Sequence, residues 1–138
     1  MTADHSTGEH ERPLSPHLQV YRWPITMATS IAHRATGFGN AIGAIYLTAW
    51  LVAIATGPEA YATFASLAGS IFGQLILFGF TWSLLYHLCN GLRHLTWDTG
   101  TGFKPSTADF TGIVVIVASV VLTIAVWLVA LAIRGGLL

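Results

Sequence analysis

Three long stretches of the chain carry no charged residue: Ala35 to Pro58, Ala60 to Leu92 and Phe110 to Ile133. Each is longer than the roughly 20 apolar residues an α-helix needs to cross about 30 Å of hydrocarbon. The pattern predicts an all-α membrane protein with three transmembrane helices near residues 29–56, 64–95 and 108–133, arranged up-down-up. The second stretch exceeds one crossing, so its first residues, Ala60 to Thr63, are assigned to a loop. Thr56-Gly57-Pro58-Glu59 reads as a tight turn, and Thr99 to Thr107, with Gly100, Gly102 and Pro105, as a second short connection. Ser106, Thr107 or Asp109 is expected to cap the third helix, because short oxygen-bearing side chains accept from the free N–H groups of a first turn.

Ahead of the spans the pattern changes. Residues 1–16 are polar, with Asp4, His5, Glu9, His10, Glu11 and Arg12, and read as a flexible tail before a single three-span domain over 17–138. His5, His10 and His17 read as solvated side chains rather than metal ligands. The tail lacks the apolar run of a secretory signal and is too acidic for a mitochondrial transit peptide, which favours a bacterial inner membrane. Pro13, Pro16 and Pro24, with Tyr21 and Trp23 among them, disfavour a span and suit a short segment lying along the membrane surface. Pro24 is placed to open a helix.

Composition sharpens this picture. Hydrophobic residues make up 54% of the chain and charged residues 9%, against about 25% charged in an average soluble domain. A soluble chain of 138 residues would have too little polar surface to cover that load, and lipid removes the need. The net charge of zero gives no sign of a nucleic-acid partner. A lone cysteine, Cys89, excludes an intrachain disulfide and a Cys-based zinc or iron–sulfur cage, and reads as an apolar packing residue. Arg12, Arg22, Arg34, Arg93 and Lys104 fall on one side of the three spans and Arg134 alone on the other, so the N-terminus and second loop are expected in the cytoplasm. No internal repeat suggests an inverted-repeat transporter. Gly39 with Gly43, and Gly69 with Gly73, have a spacing that lets helices approach closely.

One ionisable side chain stands inside an apolar stretch. His87 lies six residues before Arg93, roughly 9 Å away at about 1.5 Å rise per residue, and escapes bulk water if Arg93 marks the interface. Ionisable groups at membrane depth are costly and face the bundle interior, which makes this one a candidate functional site. Gly79, Ser83, His87 and Gly91 form a row of residues four apart, bare beside the histidine as a flat haem would require, and His94 returns to nearly the same face at the surface. Two readings stand here: an axial ligand to haem iron, or a packing histidine bonded to a neighbouring span.

At the start of the first span, Ser30, His33, Arg34 and Gly37 share one helix face. A hydroxyl, an imidazole and a cation at the edge of an apolar medium suit an oxygenated ring or a propionate. The plainer alternative is an interfacial arginine that snorkels to the headgroups. The third span has no ionisable residue. If His87 ligates a low-spin b-type haem, the second axial ligand must therefore come from a different polypeptide.

These residues fall into two motifs. The first runs Arg12-Pro13-Leu14, Leu18, Ile25, Ser30 and His33-Arg34-Ala35-Thr36; the second runs His87, Gly91-Leu92-Arg93-His94-Leu95, Trp97-Asp98 and Gly100. In both, the sequence resembles the cytochrome b556 family of succinate dehydrogenase membrane anchors, part of respiratory complex II, while the third span matches only in hydrophobicity. The resemblance implies that His87 is an axial ligand of haem b, with the other ligand on a smaller anchor subunit. It implies that Ser30 and Arg34 line a ubiquinone site with Trp23 and Ile31 close by, and that His33, Arg34 and His94 lie near the haem propionates. The implied partners are that second hydrophobic anchor, an iron–sulfur subunit and a flavoprotein subunit that oxidises succinate in the tricarboxylic acid cycle. No residue catalytic for succinate oxidation is expected in this chain alone, which has neither a dinucleotide fingerprint nor a cysteine cluster. The alternatives are a haem-free structural anchor, or the anchor of a fumarate reductase running the reverse reaction.

Overall fold

A computed structural model describes residues 21–136. The polar tail with His5 and His10, His17, and the motif residues Arg12, Pro13, Leu14 and Leu18 lie outside the described residues. The helices are α1 (Ile25–Thr56), α2 (Pro58–Gly69), α3 (Ile71–Asp98) and α4 (Pro105–Arg134). Among the described residues there is no strand. Three of the helices, α1, α3 and α4, are long and apolar enough to cross a membrane. At about 1.5 Å per residue each extends for about 40 Å or more, so their ends reach beyond the hydrocarbon.

Local chemistry fixes where these helices begin and break. Pro24 is the extended residue just before α1, and its carbonyl accepts from Met27 N at 3.1 Å and Ala28 N at 3.2 Å. The expected caps of the last span are not used. Pro105 occupies the first turn of α4 and sets its φ for helix, so the cap position falls on Lys104, ahead of Ser106, Thr107 and Asp109. The stretch from Ala60 is likewise helix rather than loop: α2 follows Gly57, whose φ of 132° is open to glycine, and starts with Pro58 and Glu59. Ser70 then breaks the chain in an extended conformation and caps α3, its hydroxyl accepting from Gly73 N at 3.1 Å. The second span thus begins at Ile71, seven residues later than the hydropathy suggested. Gly73 lies so close to the carbonyls of Leu67 and Ala68 that a side chain there would collide with α2 backbone.

The interior is polar and the exterior apolar. Thr29, Thr36, Ser83, Asn90, Arg93, Ser119 and Thr123 are buried, against Ala53, Tyr86, Ala108 and Val115 among the hydrophobic residues. Phe38, Ile45, Ile71 and Phe72 are 71–79% exposed. This inverts the soluble pattern and fits helices whose outer surface meets lipid and whose contacts rely on small and hydrogen-bonding residues. The buried positions form stripes at helical spacing: Ala108, Gly112, Val115, Ser119 and Thr123 on α4, and Thr29, Thr36 and Gly43 on α1. The buried hydroxyls of Thr36 and Thr123 are satisfied along their own helices, by the Ala32 carbonyl at 2.9 Å and by that of Ser119 at 2.7 Å. The middle helix, α3, packs on both α4 and α1. Its approach to α1 is close enough that a Cβ on Gly43 would overlap the Phe80 ring.

Candidate functional site

His87 lies on the face of α3 that meets α1, half-buried. Its Nδ1 is 3.2 Å from the carbonyl oxygen of His33 and 3.4 Å from Thr36 Oγ1. The Thr36 hydroxyl donates to the carbonyls of Ala32 and His33, at 2.9 and 3.0 Å, so both of the neighbours of Nδ1 are acceptors. The ring hydrogen therefore sits on Nδ1, and Nε2 carries the lone pair. That is the tautomer in which an imidazole binds a metal, with a carbonyl orienting it from behind. Gly37 makes room for the arrangement, since an added Cβ would stand 3.2 Å from His87 Cε1.

Three imidazoles gather at this end of the bundle. The rings of His33 and His87 stack with centroids 3.9 Å apart and planes 13° from parallel, and His94 lies 5.2 Å from His33, tilted by 50°. Stacked rings do not converge their nitrogens, and among the described residues no three His, Cys, Asp or Glu side chains are placed to hold a bare metal ion. Among the described residues His33 Nδ1 is buried without a partner. An orphaned N–H is a rarer and costlier thing to bury than a lone pair, which puts the His33 proton on Nε2.

This donor set fits one side of a haem. It offers a single neutral imidazole for the iron, with its lone pair fixed by a carbonyl. Gly79 and Gly91, two turns before and one turn after His87, have nothing within 4 Å of an added Cβ, so α3 is bare there. An apolar cleft of about 370 Å³ opens between α1 and α3 beside Gly39, Gly43, Gly79, Phe80 and Ser83. Ser83 departs from the expected row in one respect. Its hydroxyl is turned into α1, 3.0 Å from the Thr36 carbonyl and 2.8 Å from Asn40 Oδ1, and serves the helix contact.

The residues expected at a quinone site lie on the outer side of the start of α1. Arg34 is exposed, and its Nη2 donates to Ser30 Oγ at 3.3 Å. Ile31 is exposed, and Trp23 is exposed just ahead of the helix. Within this chain they form an open surface rather than an enclosed pocket.

Arg93 differs most from its expected place. It does not face outward from the bundle but is 6% exposed, inside the junction of α1, α3 and α4. Nε donates to Thr111 Oγ1 at 3.0 Å, Nη2 to the Ala108 carbonyl at 2.7 Å, and Nη1 to Thr29 Oγ1 at 3.4 Å and Asn90 Oδ1 at 3.3 Å. The guanidinium also sits 4.2 Å from the centroid of the Trp97 ring. Tyr86 ties the same junction, donating to the Thr29 carbonyl at 2.9 Å. Sequence reasoning passed over Thr29, Tyr86 and Asn90. The signal was the spacing Ser83, Tyr86, Asn90, Arg93, a second stripe on α3 running beside the one that holds His87.

Fold and site together define a helical membrane protein with three candidate spans and three imidazoles gathered at one end of its bundle. Residues 8–126 match the family described as succinate dehydrogenase/fumarate reductase transmembrane subunit. The succinate dehydrogenase cytochrome b556 subunit of Paracoccus denitrificans is 46% identical over 113 residues, covering 82% of this chain and 87% of that one. The protein of the same name from Rickettsia bellii is 40% identical over 118 residues, 86% of this chain and 92% of that one. The mitochondrial cytochrome b560 subunit of succinate dehydrogenase from Sus scrofa is 37% identical over 116 residues, 79% of this chain and 66% of that one. The chain belongs to the succinate dehydrogenase/fumarate reductase transmembrane subunit family.

Proposed function

We propose that this chain is the larger membrane anchor of a succinate dehydrogenase in a bacterial inner membrane, with its N-terminus cytoplasmic, and that it shares a b-type haem with a second anchor subunit. The observation that carries the reading is the Nδ1 contact of His87 with the His33 carbonyl at 3.2 Å, which leaves Nε2 as a ready metal ligand. When bound, haem supplies a one-electron centre. His87 would hold it from this side, His33 and His94 would donate to its propionates with Arg34 next to His33 in the chain, and the second anchor would supply the remaining ligand. The direction of flux, succinate to quinone, rests on the relatives, which are named as succinate dehydrogenase subunits.

Ubiquinone is the substrate proposed for the outer face of α1, at Ser30, Arg34, Trp23 and Ile31, with the iron–sulfur subunit closing the pocket and delivering electrons from the flavoprotein. Ser30 Oγ accepts from Arg34 Nη2, so its own hydrogen is free to donate to a quinone carbonyl. Arg34 places its guanidinium donors where negative charge develops on the reduced oxygen. Trp23 and Ile31 supply apolar surface for the ring. A His87→Leu substitution removes the ligand at similar volume. The assembled complex is expected to lose or strongly alter its reduced-minus-oxidised b-type absorbance, and an unchanged spectrum would overturn the assignment.

A further inference from the structure

The buried guanidinium does more than join three helices, because it also dictates the state of the amide beside it. Arginine has donors and no acceptor. The Asn90 atom facing Arg93 Nη1 at 3.3 Å must therefore be the oxygen, and the amide nitrogen is the atom turned to His94 Nε2 at 3.2 Å. An amide nitrogen only donates, so His94 Nε2 must accept, and the ring proton is forced onto Nδ1. Asn90 is fully buried, with no water to offer it another arrangement. His94 is also held by its neighbours, with the His33 centroid 5.2 Å away and the Trp97 ring edge-on at 5.1 Å. A permanent cation thus fixes an amide, and the amide fixes an imidazole.

We propose that Asn90, locked by Arg93, is a positioning residue that holds His94 in the Nδ1–H form so that it donates to an anionic carboxylate at the bundle end. The inference rests on the proposed function, in which that carboxylate is a haem propionate. His87 and His94 then have the same tautomer for opposite purposes. In His87 the proton is taken up by the His33 carbonyl and the lone pair on Nε2 is the group on offer. In His94 the lone pair faces the protein and the proton is the group on offer.

The test uses the purified whole complex and reads the propionate carboxylate bands in its redox-difference infrared spectrum. Asn90→Leu removes the relay at similar volume, and those bands are expected to shift while haem content stays at the unsubstituted level. In a His94→Phe background, Asn90→Leu is expected to add no further shift, because Asn90 acts only through the imidazole. Asn90→Asp keeps an acceptor for Arg93 but cannot donate to Nε2, so it too must displace the bands, and it serves if the leucine variant fails to assemble. Unshifted bands in Asn90→Asp or Asn90→Leu overturn the proposal. So does an equal shift with and without His94. Failure of the underlying reading looks different: the unsubstituted complex would then show no b-type absorbance.

Discussion

Arg34 and Arg93 carry the same charge near the same end of the bundle, and their surroundings give them different work. Arg34 is exposed and, among the described residues, held by one hydrogen bond to Ser30, which leaves most of its donors outside that bond. Arg93 spends its fork on Thr111, Thr29, Asn90 and the Ala108 carbonyl, all within the chain. Arg34→Ala is therefore expected to depress quinone reduction with little effect on succinate oxidation by an artificial dye. Loss of one charge-assisted hydrogen bond costs about 1.5–3 kcal/mol, or roughly 10- to 100-fold in rate at about 1.4 kcal/mol per factor of ten. Equal loss of both activities would mean that Arg34 serves assembly instead. At this scale the place of His87 at a helix contact was legible because a lone imidazole in an uncharged stretch stands out, whereas the burial of Arg93 was not. Its position at the close of an apolar run is also what an interfacial anchor looks like, and only the helices packed around it tell the two apart.

On the scale of elements, the helices are joined by a polar seam rather than an oily one. Arg93 is the point where α1, α3 and α4 meet, and replacing it tests how much that junction matters. Arg93→Met keeps length and apolar bulk but leaves Asn90 Oδ1 without the donor it has now. Thr29 and Thr111 keep their own bonds to the carbonyls of Thr26 at 3.0 Å and Ala108 at 3.1 Å, so they are not orphaned. The expected cost is about 1–3 kcal/mol for the stranded buried acceptor. It should appear as a lower denaturation temperature of the detergent-solubilised complex, with Arg93→Lys falling between the two. A denaturation temperature unchanged in Arg93→Met would show that the seam does not hold the helices. The three spans were legible from hydropathy alone, but the elbow at Ser70 was not, because Gly69 and Ser70 interrupt neither the charge pattern nor the apolar run. Its signature was local: Pro58-Glu59 opening one helix, then a serine placed to cap the next.

For the whole molecule, the question is which end faces the cytoplasm. The end that holds the three imidazoles, Arg93 and the start of α4 also presents Arg22, Arg34 and Lys104, all exposed. The far end holds α2 and Arg134. Arg93 leaves the count of interfacial charges because it is buried, and Arg12 lies outside the described residues, yet the remaining asymmetry keeps its sign. Thr101, exposed between α3 and α4, and Thr63, exposed on α2, report on the opposite ends. With cysteine at each in turn, a membrane-impermeant thiol reagent is expected to label Thr101→Cys only in inside-out vesicles and Thr63→Cys only from outside intact spheroplasts. Cys89 is half-buried and provides the background to subtract. The reverse pattern would put Ser30 and Arg34 on the side away from a cytoplasmic iron–sulfur partner. The quinone proposal would then fail even with the haem ligand intact, since electrons arriving in the cytoplasm would have no acceptor site at the near face.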